Sequence, residues 1–151
     1  MTMQRNILSE LSDTLHQKFK HDLLCIVIFG STVKGNSTIT SDIDVIVVCD
    51  SLIKDWRMRD TMSLELTEDI ESKYSIPIHM TLVSRVEFSQ AIDSAYPLML
   101  EIYDANEIIY DKNNFFSQSL KNFEKNLNKW HAKRIEKGFW KITGLAVIKS
   151  G

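Results

Sequence analysis

Apolar residues at Ile7, Leu8, Leu11, Leu15 and Phe19 recur at intervals of one, three and four, the period that lines one face of an α-helix. A helix over residues 3–19 follows. The run from Leu24 to Phe29 is unbroken and apolar, as in a strand covered on both faces, and a second strand is expected over 42–48, where Asp42 and Asp44 alternate with Ile43, Val45 and Val47. Between this strand and the next, Trp56, Met62, Leu66 and Ile70 mark a helix over 54–73. A third strand covers 76–83, with Pro77 near its start, where a missing N–H is tolerated. Ser84-Arg85-Val86-Glu87 reads as a capping box opening another helix. The last third predicts a helix over 91–103, a short extended piece over 107–110, and a helix over 115–127 with Phe116, Leu120, Phe123 and Leu127 on one stripe. The order is that of an α/β (α+β) chain: a small mixed sheet of about three to four strands flanked by helices, with a helical C-terminal extension. The polar stretch Asp111-Lys112-Asn113-Asn114 divides a scaffold, residues 1–111, from an appendage, 112–151, packed on it as one structural unit.

Two places on this framework carry chemistry. Side chains at i and i+2 of a strand share a face, so Asp42 and Asp44 project together. Two hard oxygen donors on one edge suit Mg2+, with Mn2+ as the alternative, because Mg2+ keeps several waters and prefers one or two carboxylates plus substrate phosphates to a closed cage. Ten residues earlier, Phe29-Gly30-Ser31 ends the first strand. Glycine there lets backbone N–H groups approach phosphate oxygens, and Ser31 adds a compact hydroxyl donor. Lys34 can neutralise phosphate charge, Gly35 relieves the loop, and Ser41 caps it or touches phosphate.

Ile28-Phe29-Gly30-Ser31, ten residues, then Asp42-Ile43-Asp44-Val45 resembles the signature of the polymerase-β-type nucleotidyltransferase superfamily, in particular its small stand-alone members, the minimal nucleotidyltransferases. Gly35 fits the additional glycine of that group. The resemblance implies a nucleotidyltransferase-like fold for residues 1–111. It also implies transfer of a nucleoside monophosphate from Mg-NTP, ATP first, to a hydroxyl acceptor, with release of pyrophosphate. Gly30, Ser31, Lys34, Gly35 and Ser41 would then bind the nucleotide, and Asp42 and Asp44 the metal. The acceptor, whether protein, RNA or small molecule, is left open. Active members carry a third carboxylate on the third strand, where this chain has Ile76-Pro77-Ile78-His79-Met80-Thr81-Leu82-Val83. His79 is the position expected beside the Asp pair. It is read as an alternative base, as a structural histidine, or as the mark of a site that binds NTP without efficient transfer. Glu101 and Asp104, three apart on one helical face, are the carboxylates that could substitute. The alternative to an enzyme is a catalytically weak or inactive NTP-binding module, such as an antitoxin-like partner of a second protein; a homo-oligomer is also open.

Composition narrows the setting. With 151 residues and a net charge of −2, the chain is large enough for one real core and makes no electrostatic case for binding nucleic acid with its whole surface. Cys25 and Cys49 lie in apolar runs and are expected as buried free thiols. Met1 to Lys20 reads as an amphipathic helix rather than a leader, and no apolar run reaches membrane-spanning length, so a cytoplasmic protein without a membrane partner is expected. In the tail, Lys129-Trp130-His131 through Phe139-Trp140-Lys141 interleaves cations with aromatics. Such a pattern can hold RNA, but the stronger reading packs Trp130, Phe139 and Trp140 of a C-terminal helix onto the core. Arg134 is a further candidate for reaching a triphosphate. His16 and His21 are read as surface residues.

Overall fold

The computed structural model describes residues 3–34, 42–136 and 139–142. Helix α1 (Met3–Phe19) leads through a short 3-10 turn into β1 (Leu23–Phe29), and a one-turn helix α2 (Ser31–Lys34) follows Gly30. Strand β2 (Ile43–Cys49), helix α3 (Trp56–Tyr74) and strand β3 (Ile78–Ser84) form a crossover unit. Then come α4 (Arg85–Asp93), α5 (Pro97–Asp104), β4 (Asn106–Asp111), α6 (Phe115–Lys129), and a hairpin of β5 (Ala132–Glu136) and β6 (Phe139–Ile142).

The main sheet has the order β3-β2-β1-β4. β1 is antiparallel to both β2 and β4, whereas β2 and β3 are parallel, as the intervening helix requires. Every residue of β1 is buried, because helices cover both faces. On one face Ile26, Ile28, Val45, Val47 and Ile78 pack against Ile7, Leu11 and Leu15 of α1 and Ile70 of α3. On the other, Val27, Phe29, Ile46 and Val48 meet Phe88 and Ile92 of α4, Met99 and Ile102 of α5, and Phe116, Phe123 and Leu127 of α6. The fully buried rings of Phe88, Phe116 and Phe123 anchor this second layer; losing one such ring typically costs about 3–5 kcal/mol.

Polar contacts fix the helices. The predicted capping box is present: Glu87 N–H donates to Ser84 Oγ at 3.2 Å and Ser84 N–H to Glu87 Oε1 at 2.8 Å. Arg59 joins it, donating to Glu87 at 2.7 Å and to the Ile53 carbonyl at 2.7 Å. The start of α3 is thereby tied to the start of α4. Lys73 and Tyr74 of α3 donate to Glu10 of α1 at 2.6 and 2.9 Å.

Several elements differ from the sequence reading. Residues 91–103 are not one helix: Pro97 occupies the first position of α5, and Tyr96 before it is extended, as a residue preceding proline must be. Ala95 completes the break at φ +50°. The tail beyond α6 is a β-hairpin rather than a helix. It is held by Trp140, whose ring lies edge-on to Tyr103 at 6.1 Å and whose indole N–H donates to Asp104 at 3.3 Å. Trp130 does pack on the core, against Phe123, while the Phe139 side chain lies outside the described residues. His16 is half-buried, its ring 4.5 Å from that of Tyr110, whereas His21 is 89% exposed. Asp111 accepts from Phe116 N–H at 2.7 Å and from the Ser117 N–H and hydroxyl, so the expected polar break between scaffold and appendage caps α6 from the end of β4. Cys25 and Cys49 are buried free thiols; burial pushes Cys49 up to about 12. Among the described residues, no helix is long and apolar enough to cross a membrane.

Candidate active site

The candidate site lies at the end of the sheet where β1 finishes and β2 and β3 begin. Alternation along β2 sends Ile43, Val45 and Val47 to the α1/α3 layer, so Asp42 and Asp44 face the other way. Asp42 stands one residue before β2, and the Ile43 N–H bond to the Pro77 carbonyl, 3.0 Å, continues the pairing there. The parallel register sets Asp44 opposite His79. The His79 Nε2–H donates to Asp42 Oδ2 at 2.7 Å, an acceptor-only partner when ionised. Both groups remain open to solvent, at 61% and 49% exposed. The predicted neighbourhood of Asp42, Asp44 and His79 is therefore present as geometry.

Gly30 brings a fourth group into it. Its φ is +81°, a conformation other residues rarely adopt. A Cβ on Gly30 would lie 3.1 Å from Asp44 Oδ2 and 3.4 Å from Glu101 Oε1. The Gly30 N–H also approaches the carbonyl of Ala105 at 3.4 Å, where α5 passes into β4. That junction delivers Glu101 to the Asp44 side of the site. Asp104, its companion candidate, goes elsewhere: its carboxylate, 6% exposed, pairs with Arg134 and accepts from Trp140. Arg134 is thus engaged in holding the hairpin and not in reaching the site. The tail's interleaved cation and ring are likewise engaged with each other, with Arg134 5.2 Å from the Trp140 centroid.

Electrostatics follow from this crowding. Burial pushes the Asp44 carboxyl above its ordinary value of 3.8, with Asp42 adding to the rise and His79 opposing it. Among the described residues, no three His, Cys, Asp or Glu side chains form a ready-made metal cage. Asp42 and Asp44 instead make an open two-carboxylate edge, which fits a hard cation that brings waters and phosphate oxygens of its own. Ser31, the residue after Gly30, is exposed. Lys34 closes α2, but its side chain, and the whole of Gly35 and Ser41, lie outside the described residues.

A sequence profile described as "Polymerase beta, Nucleotidyltransferase" matches residues 5–115. The chain belongs to this nucleotidyltransferase family. A relative from Methanocaldococcus jannaschii, named "Putative protein adenylyltransferase", is 32% identical over 149 residues, covering 95% of this chain and 97% of its own. Solved structures share the fold at lower identity. A chain in the complex of tri-AMPylated Shewanella oneidensis HEPN toxin with MNT antitoxin aligns with a TM-score of 0.53 at 14% identity, over 83% of this chain and 87% of that one. Spectinomycin adenyltransferase AAD(9) from Enterococcus faecialis, with ATP and spectinomycin, aligns with a TM-score of 0.54 at 16% identity, over 82% of this nucleotidyltransferase-family chain and 64% of the other. The mixed four-stranded sheet with flanking helices is the architecture they have in common.

Proposed function

We propose that this chain transfers a nucleoside monophosphate, AMP first, from a nucleoside triphosphate to a hydroxyl group of an acceptor. The observation that carries this reading is the projection of Asp42 and Asp44 from one edge of β2 beside the Gly30 turn, with His79 across the parallel register. Asp42 and Asp44 hold Mg2+ or Mn2+. When bound, that ion offsets the charge gathered on the phosphate oxygens. Gly30 keeps the turn free of a side chain so that phosphate can approach the backbone, and Ser31 offers its exposed hydroxyl. Lys34, which closes α2, and Gly35 and Ser41 in the sequence that follows are the further candidates for holding the nucleotide. His79 stands on the β3 side, away from Gly30, where an acceptor would enter, and its imidazole is suited to take the acceptor's proton. The acceptor oxygen then bonds to the α-phosphorus while the bond to the β-phosphate breaks, and pyrophosphate leaves with the electron pair.

A second reading has its own support. His79 stands where active relatives of this type carry a carboxylate, and it already occupies one oxygen of Asp42. The chain would then bind NTP without efficient transfer and act through a protein partner, as the likeness to chains from toxin–antitoxin complexes suggests. Incubation with α-32P-labelled ATP and an extract of candidate acceptors, alongside binding of Mg-ATP under the same conditions, separates the two. The first reading expects label on an acceptor and loss of both transfer and Mg-ATP binding in Asp42→Asn/Asp44→Asn, with the fold retained. Binding without any label favours the second. Undiminished Mg-ATP binding in the double variant overturns the assignment of the Asp pair in either.

A further inference from the structure

A cleft of about 390 Å3 opens on the same sheet face as the Asp pair, within the size range of small-ligand pockets. Its floor is Ile46 of β2 and Thr81 of β3, and its walls are Phe88 of α4, Tyr96 at the α4–α5 junction, and Leu98 and Met99 of α5. The cleft and the candidate site share two strands and one helix. Ile46 follows Asp44 by two residues and Thr81 follows His79 by two, so the floor begins about 6.6 Å along the strands from the carboxylates. Leu98 precedes Glu101 by three, which places them on one face of α5. One end of that face meets Asp44 and Gly30, and the other lines the cleft.

We propose that the base of the bound nucleotide, a purine, lies in this cleft. The inference rests on the nucleotide-transfer reading above and adds the subsite that reading lacks. In an in-line displacement, the leaving pyrophosphate and the entering hydroxyl lie on opposite sides of the α-phosphorus. With triphosphate at Gly30 on β1 and the acceptor on the His79 side, that line runs across the strands. The sugar leaves phosphorus in the plane transverse to it, a plane that contains the strand direction as well as the outward normal of the sheet. In one direction the strands end. In the other they run under Ile46 and Thr81, at the span of one ribose. The walls suit a flat aromatic ligand: Tyr96 is 55% exposed, so its ring is open to stacking, and Leu98 adds apolar surface beside it. The broken α4–α5 junction is what makes this room, since Ala95 in the left-handed region and Pro97 turn Tyr96 outward to the rim.

The test compares Mg-ATP with Mg-tripolyphosphate, which carries the phosphates without sugar or base, by calorimetry on the whole chain. Wild type should bind ATP more tightly than tripolyphosphate. Tyr96→Ser removes an exposed ring with little risk to the fold and should weaken ATP by about tenfold, the order lost with one base-to-aromatic stack, while leaving tripolyphosphate unchanged. Leu98→Glu, which puts a charged side chain into the cleft, should act in the same sense and more strongly. Equal affinity of wild type for the two ligands, an unchanged ATP affinity in both variants, or an equal loss for both ligands would overturn the base subsite while leaving the phosphate and metal assignment standing. Binding of neither ligand by wild type would instead sink the nucleotide reading, and the subsite with it.

Discussion

Substituting Gly30 by alanine probes the one backbone position where fold and site meet. The residue sits at φ +81°, and a side chain held in the left-handed region costs about 1–2 kcal/mol. The new methyl would also stand 3.1 Å from Asp44 Oδ2 and 3.4 Å from Glu101 Oε1, so the Asp44 carboxylate must move by a few tenths of an ångström. Alanine restricts the unfolded chain, which returns about 0.4–1 kcal/mol. Strain less this return leaves roughly 0–1.6 kcal/mol, to which the displacement of Asp44 adds. At about 2–4 °C per kcal/mol for a chain of this size, strain alone should lower Tm by up to roughly 6 °C.

The more telling number is ligand stabilisation. At a Mg-ATP concentration of 100 times Kd, wild type gains about 2.7 kcal/mol. Displacing Asp44 and filling the phosphate approach by one methyl should weaken binding at least tenfold, and the same concentration then yields no more than about 1.4 kcal/mol. Differential scanning fluorimetry with and without Mg-ATP reads both quantities in one experiment. If the alanine variant melts with wild type and keeps its full ligand shift, the reasoning from the Gly30 contacts is wrong. If it melts lower with the ligand shift intact, the strain is real but the close approach of phosphate is not.

His79→Asp should place a third carboxylate in register with Asp44 and remove the hydrogen bond to Asp42; like charges then lower Tm without metal, Mg2+ should raise it more steeply than in wild type, and transfer should slow with the loss of the imidazole base. A variant that transfers faster than wild type would show that a missing carboxylate, not the imidazole, governs the reaction. Glu87→Gln keeps the capping-box geometry but loses the charge facing Arg59. Burial raises the Glu87 carboxyl, but the Ser84 N–H and Arg59 outweigh it and hold the group below its ordinary 4.5, so its contribution is present above that pH and fades as pH falls through the lowered folded value. With Glu87 42% exposed, the pair is worth no more than about 1 kcal/mol. Urea melts at pH 7 should therefore separate wild type from the variant by that much, and the gap should close as pH falls below the ordinary carboxylate range; a gap independent of pH would refute the charge argument.

Where local periodicity alone decides an element, sequence and structure coincide: the apolar stripe of Ile7, Leu11 and Leu15 marks α1 over residues 3–19, and Ser84 with Glu87 marks the start of α4. The helix expected over 91–103 is broken by Pro97, whose ring fixes its own φ and the conformation of Tyr96, although Ile92, Met99 and Ile102 on either side of the break share one buried layer. The tail misleads in another way. Its β5 run, Ala132-Lys133-Arg134-Ile135-Glu136, has little strand character of its own, and the hairpin depends on Trp140 and Arg134 reaching Asp104, a partner on α5 far away in sequence.

The site divides along the same line. A period of two puts Asp42 and Asp44 on one face without any knowledge of the fold, and one further assumption, that β3 lies beside β2, brings in His79. Glu101 needs three non-local facts at once: β4 pairs with β1, α5 ends at Ala105 beside Gly30, and Gly30 has no side chain to hold the carboxylate off. Spacing on α5 could name Glu101 and Asp104 only as equals. Tertiary contact separates them, sending one to Gly30 beside Asp44 and burying the other under the hairpin. The same separation accounts for the cleft, since Leu98 faces it only because Glu101, one turn on, faces Asp44. A substitution that rotates α5, even one far from both, should therefore disturb base and metal subsites together.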